Sequence, residues 1–413
     1  MNRGCLFCAA FVAICLLLTG LSWIHSTHCT SVDSSYYLQS AANILTGRGY
    51  VVNANGQLVW NSTFPMGYPF LIVMIAGLFG IPVLVASKLV NLIALCFFAW
   101  VWARRLGISR AFWLLSIWVL GGFLKIAAFT WSETVFLVLL AEWVWALHRL
   151  LNVSSLRWAA RLMALSLSLF LVRYVGGFVF GLLLLLVLLR QIFPNLFQKR
   201  YVESHQGLFT SWGTDIALAG FVLMGVYFWI NHHFSGTFSG GERFLPTESP
   251  GELALLFGRS LLNEFLLIRD FSPSAPNVLA WIGLGLQTIL MGVFYRRHRF
   301  LLPRSVMLLR SHLLSNLFIL TGITYVVVLF TLRTISPFSE PNLRLMAPFS
   351  FCLFSAFFLN VGRWPVYWQR RLLPYWLVLL LLSWLQLLPQ NNLSSVILYR
   401  KLLNSTVDSS VWR

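Results

Sequence analysis

The chain has 413 residues, of which 58% are hydrophobic and only 10% charged, with a mean hydropathy of +0.78. A soluble domain carries about 25% charged residues, so this composition excludes one. The net charge of +18, from 30 basic against 12 acidic residues, comes with no aromatic-interleaved basic patch or nucleic-acid motif; it points away from nucleic acid and toward basic loops on the cytoplasmic side of a membrane.

Apolar runs of about 20 residues recur from end to end without period-two alternation, which predicts an all-α polytopic bundle and not a barrel. The first helix spans about 5–23, after Arg3. No small-residue cleavage site follows it, so it is expected to stay attached. Cys5 and Cys8 form a C-x-x-C with no second pair and no nearby His, a weak signal for metal or redox use. Next comes "SVDSSYYLQSAANILTGRGY", whose Asp33 is the first acid in the chain; the second is Glu133. Asp33 can be read as the cap of the following helix. "YYLQSAANIL" is expected to form a short amphipathic helix on the membrane surface. "NSTFPMGYPF" returns the chain to the bilayer, and Tyr68–Leu78 is too short to span, so it reads as interfacial or re-entrant. Ten further helices follow at about 83–103, 111–130, 133–148, 159–172, 175–192, 213–232, 277–294, 309–332, 343–361 and 373–389, giving about eleven spans in one membrane domain, 1–389. A short outer tail covers 390–413, and the larger outer loops are about 24–82 and 233–276.

With the N-terminus cytoplasmic, eighteen of the 30 Lys and Arg residues fall in inner loops and nine of the 12 acids fall outside or at the outer rim. The two distributions agree on one threading of a multi-pass plasma membrane protein, such as a bacterial inner membrane holds. The polar substance then lies on the periplasmic or outer face. Asp33 and Glu133, in "TWSETVFL", arrive there at the same depth, although Glu133 also suits a helix start after Ser132. Four cations approach the same plane: Lys125, Arg173 in "LFLVRYVGGFVF", Arg243 in "GTFSGGERFLP" and Arg344 in "NLRLMAPF". Ionisable residues at membrane depth are functional candidates, and this set suggests a phosphate-binding rim beside a carboxylate. Tyr36, Tyr37, Trp60, Tyr68, Trp131 and Tyr174 are candidate sugar contacts, though aromatics are common at any membrane interface.

The ordered stretches "VDSSYYLQSAANILTGRGY…FPMGYPFLI", "TWSETVFLVLL", "LVRYVGGF", "FWINHHFSGTFSGGERFLP" and "NLRLMAPF" resemble the polytopic glycosyltransferases of the glycosyltransferase C fold. They are most similar to the bacterial dolichyl-phosphate-mannose protein mannosyltransferase and lipid A aminoarabinose transferase group. The resemblance covers about residues 5–360 and rests on the order of short motifs. It implies transfer of a sugar from a polyprenyl phosphate carrier to a glycan, lipid or protein acceptor, with inversion. It further implies Asp33 as base, Glu133 as a second acid, and Asn231 and Arg243 as parts of a tract where His232 and His233 depart from the pattern. Many relatives carry a second acid beside the first Asp, where this chain has Asp33-Ser34-Ser35, so a divalent metal is left open as cofactor. The alternative is a lipid or solute transporter or flippase, built around Glu142 and Asp215 as buried polar residues.

Overall fold

The computed structural model describes residues 3–54, 56–192, 206–240, 249–266, 278–298, 312–335, 338 and 341–387. Arg243 and the tail 390–413 lie outside the described residues. Seven described helices are long and apolar enough to cross a membrane: Phe7–Ile24, Val83–Leu106, Glu133–Val153, Tyr174–Ile192, Phe209–Ser235, Leu313–Ile335 and Leu343–Val361. An eighth is a bent pair, Ile108–Val119 with Gly121–Ala128, turned by 72°. The remaining expected spans are also helical, over Leu156–Val172, Val278–His298 and Val366–Ser383. Most of the Glu133–Val153 and Leu343–Val361 spans is buried inside the protein, 78% and 72%, against 11% for Phe7–Ile24. The first two therefore form the bundle centre, and the first helix lies at its edge.

The segment after α1 (Arg3–Ile24) folds as α2 (Val32–Leu45), a hairpin of β1 (Val51–Ala54) and β2 (Gln57–Trp60), and α3 (Gly67–Phe79). The cap of α2 is Ser31, whose side chain accepts from the Ser34 N–H while the Ser34 hydroxyl accepts from Ser31 N–H. Asp33 sits one residue inside the helix and is released from the capping role that the sequence allowed it. The thirteen residues of α3 reach about 20 Å, short of the roughly 30 Å hydrocarbon core. The hairpin was not among the expected elements. Its strands pair Val51 with Trp60 and Ala54 with Gln57, and Gly56 takes φ +85° at the turn. It docks on α2 through Asn43 Nδ2 to Val51 O (2.8 Å) and Asn61 Nδ2 to Ser40 Oγ (2.9 Å).

The expected single helix 111–130 is broken, because the chain turns at Leu120 and Gly121. A Cβ on Gly121 would lie 2.0 Å from Ser383 O, so only glycine permits this approach. The backbone groups freed by the break are taken by the last helical turn: Gly121 N–H donates to Ser383 Oγ (2.9 Å), and Val119 O accepts from Trp384 Nε1 (2.8 Å). Inside a membrane such groups need partners. The same holds at the far end of α6 (Gly121–Ala128), whose last carbonyls face α4 (Val83–Leu106). Asn91 Nδ2 donates to Ala127 O (3.1 Å) and Phe129 O (2.9 Å). Lys88 Nζ donates to Ala128 O (2.8 Å) and Cys29 O (3.1 Å). A cation at the negative end of a helix dipole is also favourable electrostatically. Thr130 completes the latch, with N–H to Cys29 O (3.0 Å) and its carbonyl accepting from Ser34 Oγ (2.9 Å). Residues 128–132 are thereby held against the start of α2.

Farther along α7 (Glu133–Val153), Glu142 is buried and clamped by Arg105 through two bonds of 2.7 and 2.6 Å and by Arg161 at 2.8 Å. Arg105 also lies 4.7 Å from the Trp145 ring centre. Asp215, by contrast, is exposed and meets Ser211 at 3.4 Å, which corrects its placement as a buried acid.

Two stability outcomes follow from these ties. Glu142→Gln leaves two guanidiniums facing an uncharged group and should destabilise the purified protein by about 3–5 kcal/mol, the range for breaking a buried ion pair, while Asp215→Asn leaves the melting temperature unchanged. Asn91→Leu removes two donated bonds and the one accepted from Tyr68 (3.3 Å); at about 1 kcal/mol each, thermal denaturation should show a loss of about 2–4 kcal/mol. A wild-type melting temperature for Asn91→Leu would contradict the latch.

Candidate active site

Four charged residues from four segments meet at the mouth of the bundle. Arg344 opens α14 (Leu343–Val361), just after Asn342, whose side chain caps the helix by accepting from the Arg344 and Leu345 N–H groups. Its guanidinium is shared: Nε donates to Glu133 Oε1 and Nη1 donates to Asp33 Oδ2. Arg173 approaches Glu133 Oε1 from the other side, as an ion pair whose angle is not that of a hydrogen bond. Arg173 is extended (φ −152°, ψ 131°) between α8 (Leu156–Val172) and the 3-10 turn Tyr174–Gly177. That turn needs Gly176, where a Cβ would lie 2.2 Å from Leu169 O.

The two acids differ in setting. Glu133 has no exposed side-chain surface, and its Oε2 is buried without a hydrogen-bond partner. Such an orphan acceptor is unusual in a folded interior. Asp33 is partly open, with 29% of its side chain exposed. A group that must meet a substrate proton needs that access; a group that holds two cations in place does not. Asp33 is thus the accessible acid of the pair and Glu133 the enclosed one.

Trp131 joins these parts. Its ring lies 4.8 Å from the Arg344 guanidinium carbon, and its Nε1 donates to Ser31 Oγ (2.8 Å), the cap of the helix that carries Asp33. Phe129 stacks on the same indole at 4.3 Å. The ring is engaged by Arg344 and Phe129. Tyr37 lies beneath, bonded to Ser132 Oγ (3.1 Å). Burial pushes its phenol up to about 12, so it is neutral at physiological pH and serves as a hydrogen-bonding group and not as a base.

The other expected aromatics divide in three. Tyr37 and Tyr68 are fully buried and pack edge-to-face at 5.1 Å, so neither presents a ring to a ligand here. Tyr36 is half-buried beside Phe64 (5.8 Å). Trp60 and Tyr174 tie the hairpin and the Arg173 turn to α10 (Gln206–Ser235) through the buried Asn231: Trp60 Nε1 donates to Asn231 Oδ1 (3.0 Å), and Asn231 Nδ2 donates to Tyr174 Oη (2.8 Å). Asn231 thus knots three segments, while the exposed His232 stacks on Phe238 at 4.7 Å. Lys125 lies on α6 near Cys29, whose thiol burial pushes up to about 11 against the pull of Lys88 and Lys125. Lys88 was missed in the sequence because it sits in a run read only as a span.

The acids do not suit a resident metal. Asp33 Oδ2 and Glu133 Oε1 already face guanidiniums, and among the described residues no three His, Cys, Asp or Glu side chains gather to hold an ion.

No family model and no curated protein matches the chain. The fold, however, is similar to that of ArnT from Cupriavidus metallidurans. Against the crystal structure of ArnT bound to undecaprenyl phosphate, the TM-score is 0.53 with 14% identity, covering 90% of this chain and 62% of ArnT. Against ArnT in the apo state, the TM-score is 0.50 with 16% identity, covering 88% of this chain and 61% of ArnT. The chain thus spans less than two thirds of the length of ArnT. At this identity the likeness speaks to architecture, and the architecture is the polytopic helical arrangement of the glycosyltransferase C fold.

Proposed function

We propose that the protein is a membrane glycosyltransferase that moves a sugar from a polyprenyl phosphate carrier to an acceptor at the Asp33 end of the bundle. The observation that carries this reading is the convergence of Asp33, Glu133, Arg173 and Arg344 on one another, from segments up to 311 residues apart. The ArnT-like fold supports it, since that protein was crystallised with undecaprenyl phosphate.

In the reaction, an acceptor hydroxyl or amine attacks the anomeric carbon of the carrier-linked sugar. The new bond to that carbon forms as the bond to the phosphate oxygen breaks, and the electron pair leaves with the polyprenyl phosphate. The acceptor proton passes to the partly open Asp33 carboxylate, which acts as general base. Displacement from the face opposite the phosphate inverts the anomeric centre. Arg344 and Arg173 stabilise the charge that develops on the leaving phosphate, and Arg243 is a further candidate for the same task. Glu133 touches both guanidiniums and fixes where they stand.

The basic residues support an orientation with this site outside: Arg105, Arg149 and Arg161 lie toward the other end of α7 and its neighbours, as cytoplasmic loops would carry them. The transporter reading has less to stand on. Glu142 is held by two arginines and Asp215 is exposed, so neither lines a path as a free carboxylate. The acceptor is a glycan, lipid or protein with a nucleophilic hydroxyl or amine.

Asp33→Asn keeps the shape of the side chain and removes the base. Turnover of a polyprenyl-phosphate sugar with membrane extract as acceptor source should be abolished, at normal expression and insertion. Wild-type turnover by this variant would contradict the assignment of Asp33.

A further inference from the structure

Among the described residues, the charges in contact at this site balance. Two carboxylates, Asp33 and Glu133, face two guanidiniums, Arg173 and Arg344. A phosphate that takes either of these guanidiniums must therefore compete with the carboxylate that holds it. The two contacts of Arg344 are unequal in what it takes to break them. Glu133 is fully buried, so losing Arg344 would strand a charge without water. Asp33 is 29% exposed at the start of a surface helix, so water can replace its partner. Exchange is thus expected on the Asp33 side. Trp131 offers the surface on which it can occur. Its ring supports the guanidinium at 4.8 Å, and its Nε1 is pinned by Ser31, so the support stays fixed as the far end of the side chain turns. A planar guanidinium retains its attraction to a ring face while its edge donors change partners.

We propose that Trp131 is a positioning residue that carries Arg344 on its ring while the guanidinium exchanges Asp33 for the carrier phosphate and keeps Glu133. The proposal rests on the glycosyltransferase reading of this site. Before the carrier arrives, Arg344 covers Asp33. Once the phosphate takes the Nη1 edge, the carboxylate is uncovered and becomes a competent base. The donor is therefore the first substrate to bind, and the acceptor meets a free base only when a sugar is in place.

The test is the affinity of the full-length protein, in lipid nanodiscs, for undecaprenyl phosphate, which presents the carrier phosphate without a sugar. Arg344→Ala should weaken binding at least about tenfold, in line with the loss of a desolvated charge contact. Asp33→Asn should tighten it about three- to tenfold by removing the competitor, and this gain should vanish in the Asp33→Asn/Arg344→Ala double variant, since coupled residues are not additive. Trp131→Leu should weaken binding about fivefold and add nothing to Arg344→Ala, while Trp131→Phe, which keeps a ring face but loses the tie to Ser31, falls between Trp131→Leu and the wild type. A gain from Asp33→Asn that persists without Arg344 reports simple repulsion and overturns the exchange. Wild-type affinity in Trp131→Leu, or an effect additive with Arg344→Ala, overturns the role of Trp131. If the wild type does not bind, or Arg344→Ala binds equally well, the glycosyltransferase reading of the site fails and takes the exchange with it. Melting temperatures of all variants identify any that misfold, and the Asp33→Asn pair decides the exchange even if Trp131→Leu is lost.

Discussion

A guanidinium wedged between two carboxylates at the mouth of a membrane bundle is stable only if the backbone brings all three groups to it and holds them there. Desolvating charges is expensive, and a pair that is misaligned recovers little of that cost. Arg344 meets this condition because each partner is fixed by its own device. Ser31 caps the helix of Asp33, Asn342 caps the helix of Arg344, and the 128–132 segment before Glu133 is latched to α4 and α2. Trp131 ties the first and last of these devices together by bonding to the Ser31 hydroxyl beneath the Arg344 guanidinium. The polar site is thus the place where three separately stabilised chain ends arrive at one cation.

The latch depends in turn on helices that stop inside the bundle. A helix that ends in the membrane exposes backbone groups, and each needs a donor or acceptor. The chain supplies them from neighbouring helices, with Ser383 and Trp384 at the 120–121 break and Lys88 and Asn91 at the end of α6. The Arg173 turn is a third such stop, made compact by Gly176. Irregular backbone is what aims side chains inward at these points. An unbroken helix over 111–130 would have carried the chain past the position where Trp131 and Glu133 now turn toward Asp33.

Much of this was legible in the sequence, for a reason particular to membranes. Charged residues are so rare in the apolar runs that Asp33, Glu133, Arg173 and Arg344 stand out singly, and those four do meet. Hydropathy reports apolar runs directly, so the seven described helices long enough to cross were among the eleven expected spans, and the helix at Tyr68–Leu78 is as short as its sequence suggests. What was not legible depends on backbone breaks. Lys88 and Asn91 look like tolerated polar residues in a span until the carbonyls of 127–129 are known to be free. Tyr37 and Tyr68 looked like ligand contacts because aromatic residues near an interface and in a core have the same signature. The hairpin has a usable signal in Asn55-Gly56 between Val-containing stretches, short against the long apolar runs that flank it. Asp33 as a cap was a fair reading that Ser31, two residues earlier, displaced.

The central claim is that this charged knot receives the phosphate of a polyprenyl carrier. The most direct measurement is a cryo-electron microscopy structure of the protein in lipid nanodiscs saturated with undecaprenyl phosphate. The account predicts phosphate density within hydrogen-bonding distance of the Arg344 guanidinium, with Glu133 still bonded to it and Asp33 turned free. Phosphate density at another site, with Arg344 still joined to both carboxylates, would contradict it.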